Sequence, residues 1–188
     1  MALRQTIAPG HWTYDDYAAL DDGKRYEVIE GELFEMSAPR IRHQRIVLLI
    51  TRSLAAYVDE GAVGEVFPMQ TDVLLSPVNV VQPDVFFVSN ANMDIVGELN
   101  IQGPPDLCVE ILSPGNVGHD LRRKRDLYAR FGVREYWLVD PERDTVTVLA
   151  LEGGAYTVLV EATGDDAVRS LVLPEFASPA AAFFPAPA

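Results

Sequence analysis

Lysine is nearly absent from this chain: only Lys24 and Lys124 occur, against thirteen arginines. A residue type used so sparingly is a candidate for a specific task. Cysteine is scarcer still. Cys108 stands alone, which excludes an internal disulfide framework and a cysteine-based zinc site. It reads as a buried packing residue with an ordinary thiol. The three histidines, His11, His43 and His119, are too scattered in the sequence to suggest a zinc site. There is no Gly-x-Ser-x-Gly elbow, no phosphate-binding Gly-x-x-x-x-Gly-Lys loop and no His-Glu-x-x-His pair, so the serine-hydrolase, P-loop and zincin classes lose their support. No apolar run approaches the roughly 18 residues of a membrane span. The opening Met1-Ala-Leu-Arg-Gln-Thr-Ile-Ala-Pro9 lacks the apolar core of a secretory signal. The expectation is a cytoplasmic protein, which the single cysteine also suits. Positive charge is short as well, and the formal net charge of −13 argues against a generic nucleic-acid binder.

At 188 residues the chain is expected to form one domain. Residues 1–12 read as an irregular arm, and 174–188 as a Pro/Ala-rich tail in which Phe176, Phe183 and Phe184 either dock or meet a second subunit. The positive charge that exists is clustered. Arg122, Arg123, Lys124, Arg125, Arg130 and Arg134 crowd one helix and its exit, and Arg40, Arg42, Arg45 and Arg52 flank or lie in another. Local basic strips on an acidic body can hold a phosphate backbone. The plain alternative for each strip is a solvated helix face.

The pattern predicts a short helix from Thr13 to about Leu20, with a threonine cap and acids in its first turn. A hairpin follows, Tyr26–Glu30 and Glu32–Met36, turning at Glu30-Gly31. Ile46, Leu49, Ile50, Leu54 and Tyr57 recur at helical spacing, predicting a long amphipathic helix from Arg42 to Glu60 that stops at Gly61. Strands are expected over 65–69 and 71–75. Another is expected from Val80 to Val88, interrupted by Pro83 and so an edge or a strand start. A long connection spans 89–105. Asp106–Leu112 is the best central strand, with Leu107, Val109 and Ile111 on one face and Cys108, Glu110 and Leu112 on the other. A loop over 113–118, a helix over 120–131 and a strand over 134–140 come next. A hairpin around Gly153-Gly154 and a last strand over 168–173 complete the chain. The fold class is mixed α/β: a central, partly antiparallel sheet flanked by helices, with additional β-hairpins.

Asp84 and Glu110 are the first candidates for chemistry. Glu110 lies mid-strand among apolar residues, where a carboxylate is costly unless paired, hydrogen-bonded or metal-bound. Asp84 follows a proline at the start of an apolar run. Singly, Asp84 could cap a turn and Glu110 could pair with an arginine. Together they offer the oxygen ligands that hard divalent cations take, one or two carboxylates completed by water and phosphate. Lys124 follows Asp120 by one helical turn, so both project from one face. A lysine beside such an ion can orient water and offset phosphorane charge; the plain alternative is an exposed i,i+4 pair. Tyr136 and Trp137 sit in an apolar strand and read as core.

Pro83-Asp84, then Glu110 on a strand, then lysine resembles the PD-(D/E)XK nuclease signature. The closer resemblance is to the Uma family of restriction-endonuclease-like proteins. It is carried by Tyr26-Glu-Val-Ile-Glu-Gly-Glu-Leu33, His43, Gln82-Pro-Asp-Val85, Val109-Glu-Ile-Leu-Ser-Pro114, Asp120-Leu121, Lys124, Leu127-Tyr-Ala129 and Gly132-Val-Arg-Glu-Tyr-Trp-Leu-Val-Asp-Pro141. The resemblance implies a restriction-endonuclease-like core, Asp84 and Glu110 as ligands for Mg2+ or Mn2+, and Lys124 as the catalytic lysine. The position two after Glu110, the usual place of that lysine, holds Leu112; Lys124 matches a lysine moved to the following helix. A further ligand often precedes the sheet, where His43 stands, with Glu27 or Glu30 as helpers. The expectation is a divalent-metal endonuclease acting on DNA, or on RNA, as a homodimer, with Asp120 or His43 in support and Arg122, Arg123 and Arg125 on phosphates. The rivals are a nuclease-fold binding module and a hydrolase of small phosphoesters.

Overall fold

The computed structural model describes residues 10–113 and 120–186; of residues 120 and 121 it describes the backbone alone. The helices are α1 (Tyr14–Ala18), α2 (Ile41–Gly61) and α3 (Asp120–Phe131). The strands are β1 (Tyr26–Ile29), β2 (Glu32–Glu35), β3 (Gly64–Pro68), β4 (Val73–Ser76), β5 (Asn79–Val81), β6 (Val85–Ser89), β7 (Leu107–Ile111), β8 (Glu135–Asp140), β9 (Thr145–Glu152), β10 (Ala155–Thr163), β11 (Ala167–Arg169) and β12 (Ala177–Pro179). Short 3-10 turns cover Asn90–Ile95 and Ala180–Phe183.

Six strands form the main sheet in the order β10-β9-β8-β7-β6-β3, and four form a second sheet in the order β2-β1-β5-β4. In the main sheet only β7 and β8 run parallel. Parallel neighbours need a crossover, and α3 supplies it. The alternation expected for β7 holds. Leu107, Val109 and Ile111 join Ile46, Ile50 and Leu54 of α2, together with Trp137 and Val139. Cys108 joins the opposite cluster, with Phe86, Tyr136, Leu127 and Tyr128 of α3 and Ile29, Val73 and Val81 of the small sheet. Each buried aliphatic or aromatic side chain in these layers contributes roughly 1.5–3 kcal/mol. That apolar sandwich holds β7 rigid, and with it Glu110.

Local signals explain the elements. Thr13 caps α1, accepting from the Asp16 amide at 3.3 Å while the Asp16 carboxylate accepts the Thr13 amide at 3.0 Å. Glu30 (φ 53°) and Gly31 (φ 75°) are both left-handed, the turn whose twist matches that of a two-residue hairpin. Phe176, Phe183 and Phe184 are buried, and the rings of Phe176 and Phe183 lie 5.9 and 6.1 Å from that of Trp137. The tail therefore docks on the α2 side of the sheet.

Two expectations need correction. The stretch from Val80 to Val88 is two strands in two sheets, β5 and β6, because Pro83 has no N–H to continue a ladder and the chain turns there from one sheet into the other. The strand expected over 168–173 as the last is β11, which stops at Arg169, because the amides of Leu171 and Val172 donate to the Glu135 carboxylate, and β12 follows it and pairs with it. α2 does stop at Gly61, as expected, and the left-handed residue that follows is Ala62 (φ 47°). The arm expected over 1–12 is described only from residue 10, where Trp12 donates to the Gly31 carbonyl at 2.9 Å. Of the loop expected over 113–118, residues 114–118 lie outside the described residues, as does His119.

Candidate active site

Gln82-Pro83-Asp84 is the corner where the chain passes between the sheets. Asp84 is seated against β7: its amide donates to the Val109 carbonyl at 3.1 Å, and its Oδ2 accepts the Ile111 amide at 2.8 Å. His43, in the first turn of α2, places Nε2 3.1 Å from the same oxygen. The other ring nitrogen, Nδ1, is buried without a partner among the described residues.

Glu110 projects from the opposite face of β7 to Val109, toward α3. Its Oε1 accepts from Lys124 Nζ at 3.0 Å and from the Tyr128 hydroxyl at 2.8 Å. Lys124 and Tyr128 are one helical turn apart, so one face of α3 delivers both. The same ammonium lies 2.8 Å from Oε1 of Glu27 on β1, and that oxygen also accepts the Gln82 amide at 2.8 Å. Glu27, Glu110 and Lys124 are all buried. Burial pushes the Glu110 carboxyl up to about 8; the charges of Asp84 and Glu27 push the same way, and Lys124 opposes them. Burial alone would lower the Lys124 ammonium, but Glu110 and Glu27 more than offset it and hold it firmly charged. The two directions fit one picture: two carboxylates share a single ammonium with Asp84 close by, so the ammonium is over-stabilised and Glu110 under-compensated.

That imbalance is the test of fit for a cation. With Asp84, Glu110 and Glu27 ionised, Lys124 neutralises one charge of three. Among the described contacts each carboxylate makes every bond through one oxygen, Asp84 Oδ2, Glu110 Oε1 and Glu27 Oε1, leaving the other for a ligand. Among the described residues, no three His, Cys, Asp or Glu side chains group closely enough to cage an ion unaided. The donor set suits a hard divalent ion that keeps water and substrate oxygens in its shell.

Glu27, Asp84, Glu110, His43 and Lys124 line a cavity of about 500 Å3. Arg25, Arg40, Arg42 and Arg123 line it as well. Arg42 is tied to Asp144 at 2.5 Å. Arg123 reaches Glu32 at 2.9 Å and lies over the Phe34 ring, 5.1 Å from its centroid.

The sequence-predicted residues thus fall into groups. Asp84, Glu110, Lys124 and His43 come together, with Glu27. Glu30 stays outside, paired with Arg130 at 2.9 Å. Asp120 opens α3, and its side chain lies outside the described residues. Arg123 lines the cavity, whereas Arg122 and Arg125 are exposed and do not. Tyr128, which the sequence showed only as part of Leu127-Tyr-Ala129, received no role, although its four-residue spacing from Lys124 was a usable signal. It also assigned no role to Arg25 or to the Gln82 side chain, whose partners are far away in sequence.

A six-stranded mixed sheet, a helix on each face and an acidic cluster beside one lysine define a protein of the restriction-endonuclease-like fold. The chain belongs to the Uma2 family, described as "Putative restriction endonuclease", whose model matches residues 13–181. This membership places it among restriction-endonuclease-like nucleases, a class that acts on nucleic acid and generally uses divalent metals. No curated protein matches the chain. Among solved structures it is similar to a putative nuclease belonging to DUF820 from Anabaena variabilis ATCC 29413. The TM-score is 0.76 and the identity 20%, over 92% of this chain and 97% of that one. At that identity the likeness speaks for the fold. Among the described residues, no helix is long and apolar enough to cross a membrane.

Proposed function

We propose that this protein is an endonuclease that hydrolyses DNA phosphodiester bonds with a divalent cation, Mg2+ or Mn2+, held by Asp84 and Glu110. The observation that carries this reading is the excess of buried carboxylate around one ammonium, at the wall of a cavity that also presents arginines. When bound, the ion polarises a phosphoryl oxygen and lowers the pKa of a water. The protein's own part is positional. The Ile111 amide and His43 fix Asp84, while Lys124 and Tyr128 fix Glu110. Lys124, held charged, offsets the negative charge that grows on the phosphorus oxygens as the bond breaks. His43 acts through Asp84 by orienting its carboxylate, and Glu27 acts through Lys124. Asp120, in the first turn of α3 and one helical turn before Lys124, is given a supporting part. The chain acts as one domain in the cytoplasm. Cutting both strands takes two such sites, which a homodimer supplies.

The test is cleavage of supercoiled plasmid with Mg2+, Mn2+ or EDTA by wild type and Glu110→Gln. Nicking or linearisation that needs metal and vanishes in the variant supports the reading; equal activity in both contradicts it. The net charge of −13 favours a second reading, a nuclease-fold module that binds a partner without cutting. Metal titration separates the two, since such a module has no need of an ion at Asp84 and Glu110.

A further inference from the structure

The arginines around the cavity are not equivalent. Arg42 is ion-paired with Asp144, and Arg123 with Glu32. Among the described residues Arg40 makes no ion pair, and neither does Arg25. Its guanidinium is held instead by a neutral acceptor, Gln82 Oε1, at 3.2 Å from Nε and 2.6 Å from Nη2. Nη1 makes no bond among the described residues, and Arg25 lines the same cavity as Asp84 and Glu110.

The Gln82 amide cannot turn over. Its Nε2 donates to Asp72 Oδ1 at 2.7 Å and to the Tyr17 hydroxyl at 3.1 Å, so its oxygen must face Arg25. The acid of this network, Asp72, feels the Arg25 charge but makes no direct contact with it among the described residues; the hydrogen-bonded path between them runs through that amide. A glutamate at position 82 would have made an ion pair and cancelled the charge. Gln82 is itself buried, and its backbone amide holds Glu27 at 2.8 Å. Arg25 and Glu27 are two residues apart on extended chain and face the same side. One glutamine therefore sets a cation and a carboxylate of the site in register.

We propose that Arg25 binds a phosphate of the nucleic-acid backbone inside this cavity, and that Gln82 is the positioning residue that keeps its charge un-neutralised. The assignment rests on the nuclease reading and deepens it. Arginine suits the task because its planar fork can give two N–H groups to Gln82 and others to phosphate oxygens. Lys124, clamped between two carboxylates, stays with the reacting phosphate; Arg25 takes a second contact that positions the strand.

The test is binding of a labelled DNA duplex, followed by fluorescence anisotropy over a series of NaCl concentrations, with Ca2+ in place of Mg2+. Each phosphate neutralised contributes about 0.9 to the slope of log affinity against log salt. Arg25→Ala is expected to weaken binding on the order of tenfold and to reduce the slope by about one. Arg25→Lys should keep the slope. Gln82→Glu should lose it with Arg25 still present, which loss of a merely structural contact would not do. Mn2+ affinity, measured by calorimetry, should not fall in Arg25→Ala. Should Arg25→Ala fail to fold, Arg25→Lys and Gln82→Glu decide the matter. Wild-type binding with unchanged affinity and slope in Gln82→Glu and Arg25→Ala overturns the assignment while the nuclease reading stands. A wild type that binds no DNA overturns both.

Discussion

Two buried glutamates sit on neighbouring parallel strands, and they do opposite things. Glu135 opens β8, opposite Leu107 at the start of β7, while Glu110 lies near the end of β7, opposite Leu138. Glu135 is fully buried and is surrounded by neutral donors: the Trp137 indole at 2.5 Å, the Val172 amide at 3.1 Å and the Leu171 amide. Burial raises its carboxyl, and those hydrogen bonds pull it back. It ties the 170–173 turn to the sheet and does not line the cavity. Glu110 meets one ammonium and one hydroxyl, with two further carboxylates near enough to raise it. A buried acid among N–H groups is finished; a buried acid among other acids has room for a cation.

The largest expected difference is in catalysis. Asp84→Ala or Glu110→Gln should reduce metal-dependent cleavage on the order of 1000-fold or more, since the ion supplies several kcal/mol of charge stabilisation. Glu135→Gln should leave the metal requirement intact. Plasmid cleavage by the purified variants reads this directly.

Stability comes next. Lys124→Met should cost about 3–5 kcal/mol in chemical denaturation, because it strands Glu110 and Glu27 without their shared ammonium. Glu135→Gln should cost about 1–3 kcal/mol, since an amide NH2 cannot accept what the second carboxylate oxygen accepts. If the order were reversed, the charge balance argued for the site would be wrong.

The pH dependence sharpens the same contrast. Glu110 is raised from 4.5 to about 8 in the folded chain. Between those values the folded state holds a proton that the unfolded state has lost, so without metal this group's contribution to stability is full below about 4.5 and is lost as pH rises toward 8. Protons and metal compete for the same carboxylate, so metal affinity should climb with pH until Glu110 is ionised. Denaturant midpoints and calorimetric titrations between pH 5 and 9 check both slopes, and Glu110→Gln should flatten each.

The smallest effect is expected from Tyr128→Phe. It removes one hydrogen bond to Glu110 and should weaken metal binding about tenfold with little change in fold. A titration that matches wild type would show that Lys124 alone fixes the carboxylate.

The sequence announced some of this better than the rest. Glu110 stood out because it breaks an apolar alternation, and Lys124 because lysine is otherwise nearly absent. Glu135 lies in an equally apolar strand, and nothing local to it distinguishes a hydrogen-bonded acid from a cation ligand. Hairpin turns, the α1 cap and the amphipathic α2 were legible because their signals lie within a few residues. The split at Pro83 was half legible: the break could be seen, but not that the two halves belong to different sheets. Glu27 and Gln82 meet across 55 residues, and Arg25 and Gln82 across 57. Such contacts exist only once the small sheet has packed against the main one.

The most direct test is thermal unfolding of wild type, Glu110→Gln and Glu135→Gln, each with and without saturating Mg2+ or Mn2+. A ligand that binds only the folded state raises its melting temperature. The account predicts that metal raises the melting temperature of wild type and of Glu135→Gln but not that of Glu110→Gln. An equal rise in all three, or none in wild type, would contradict a cation site at Glu110.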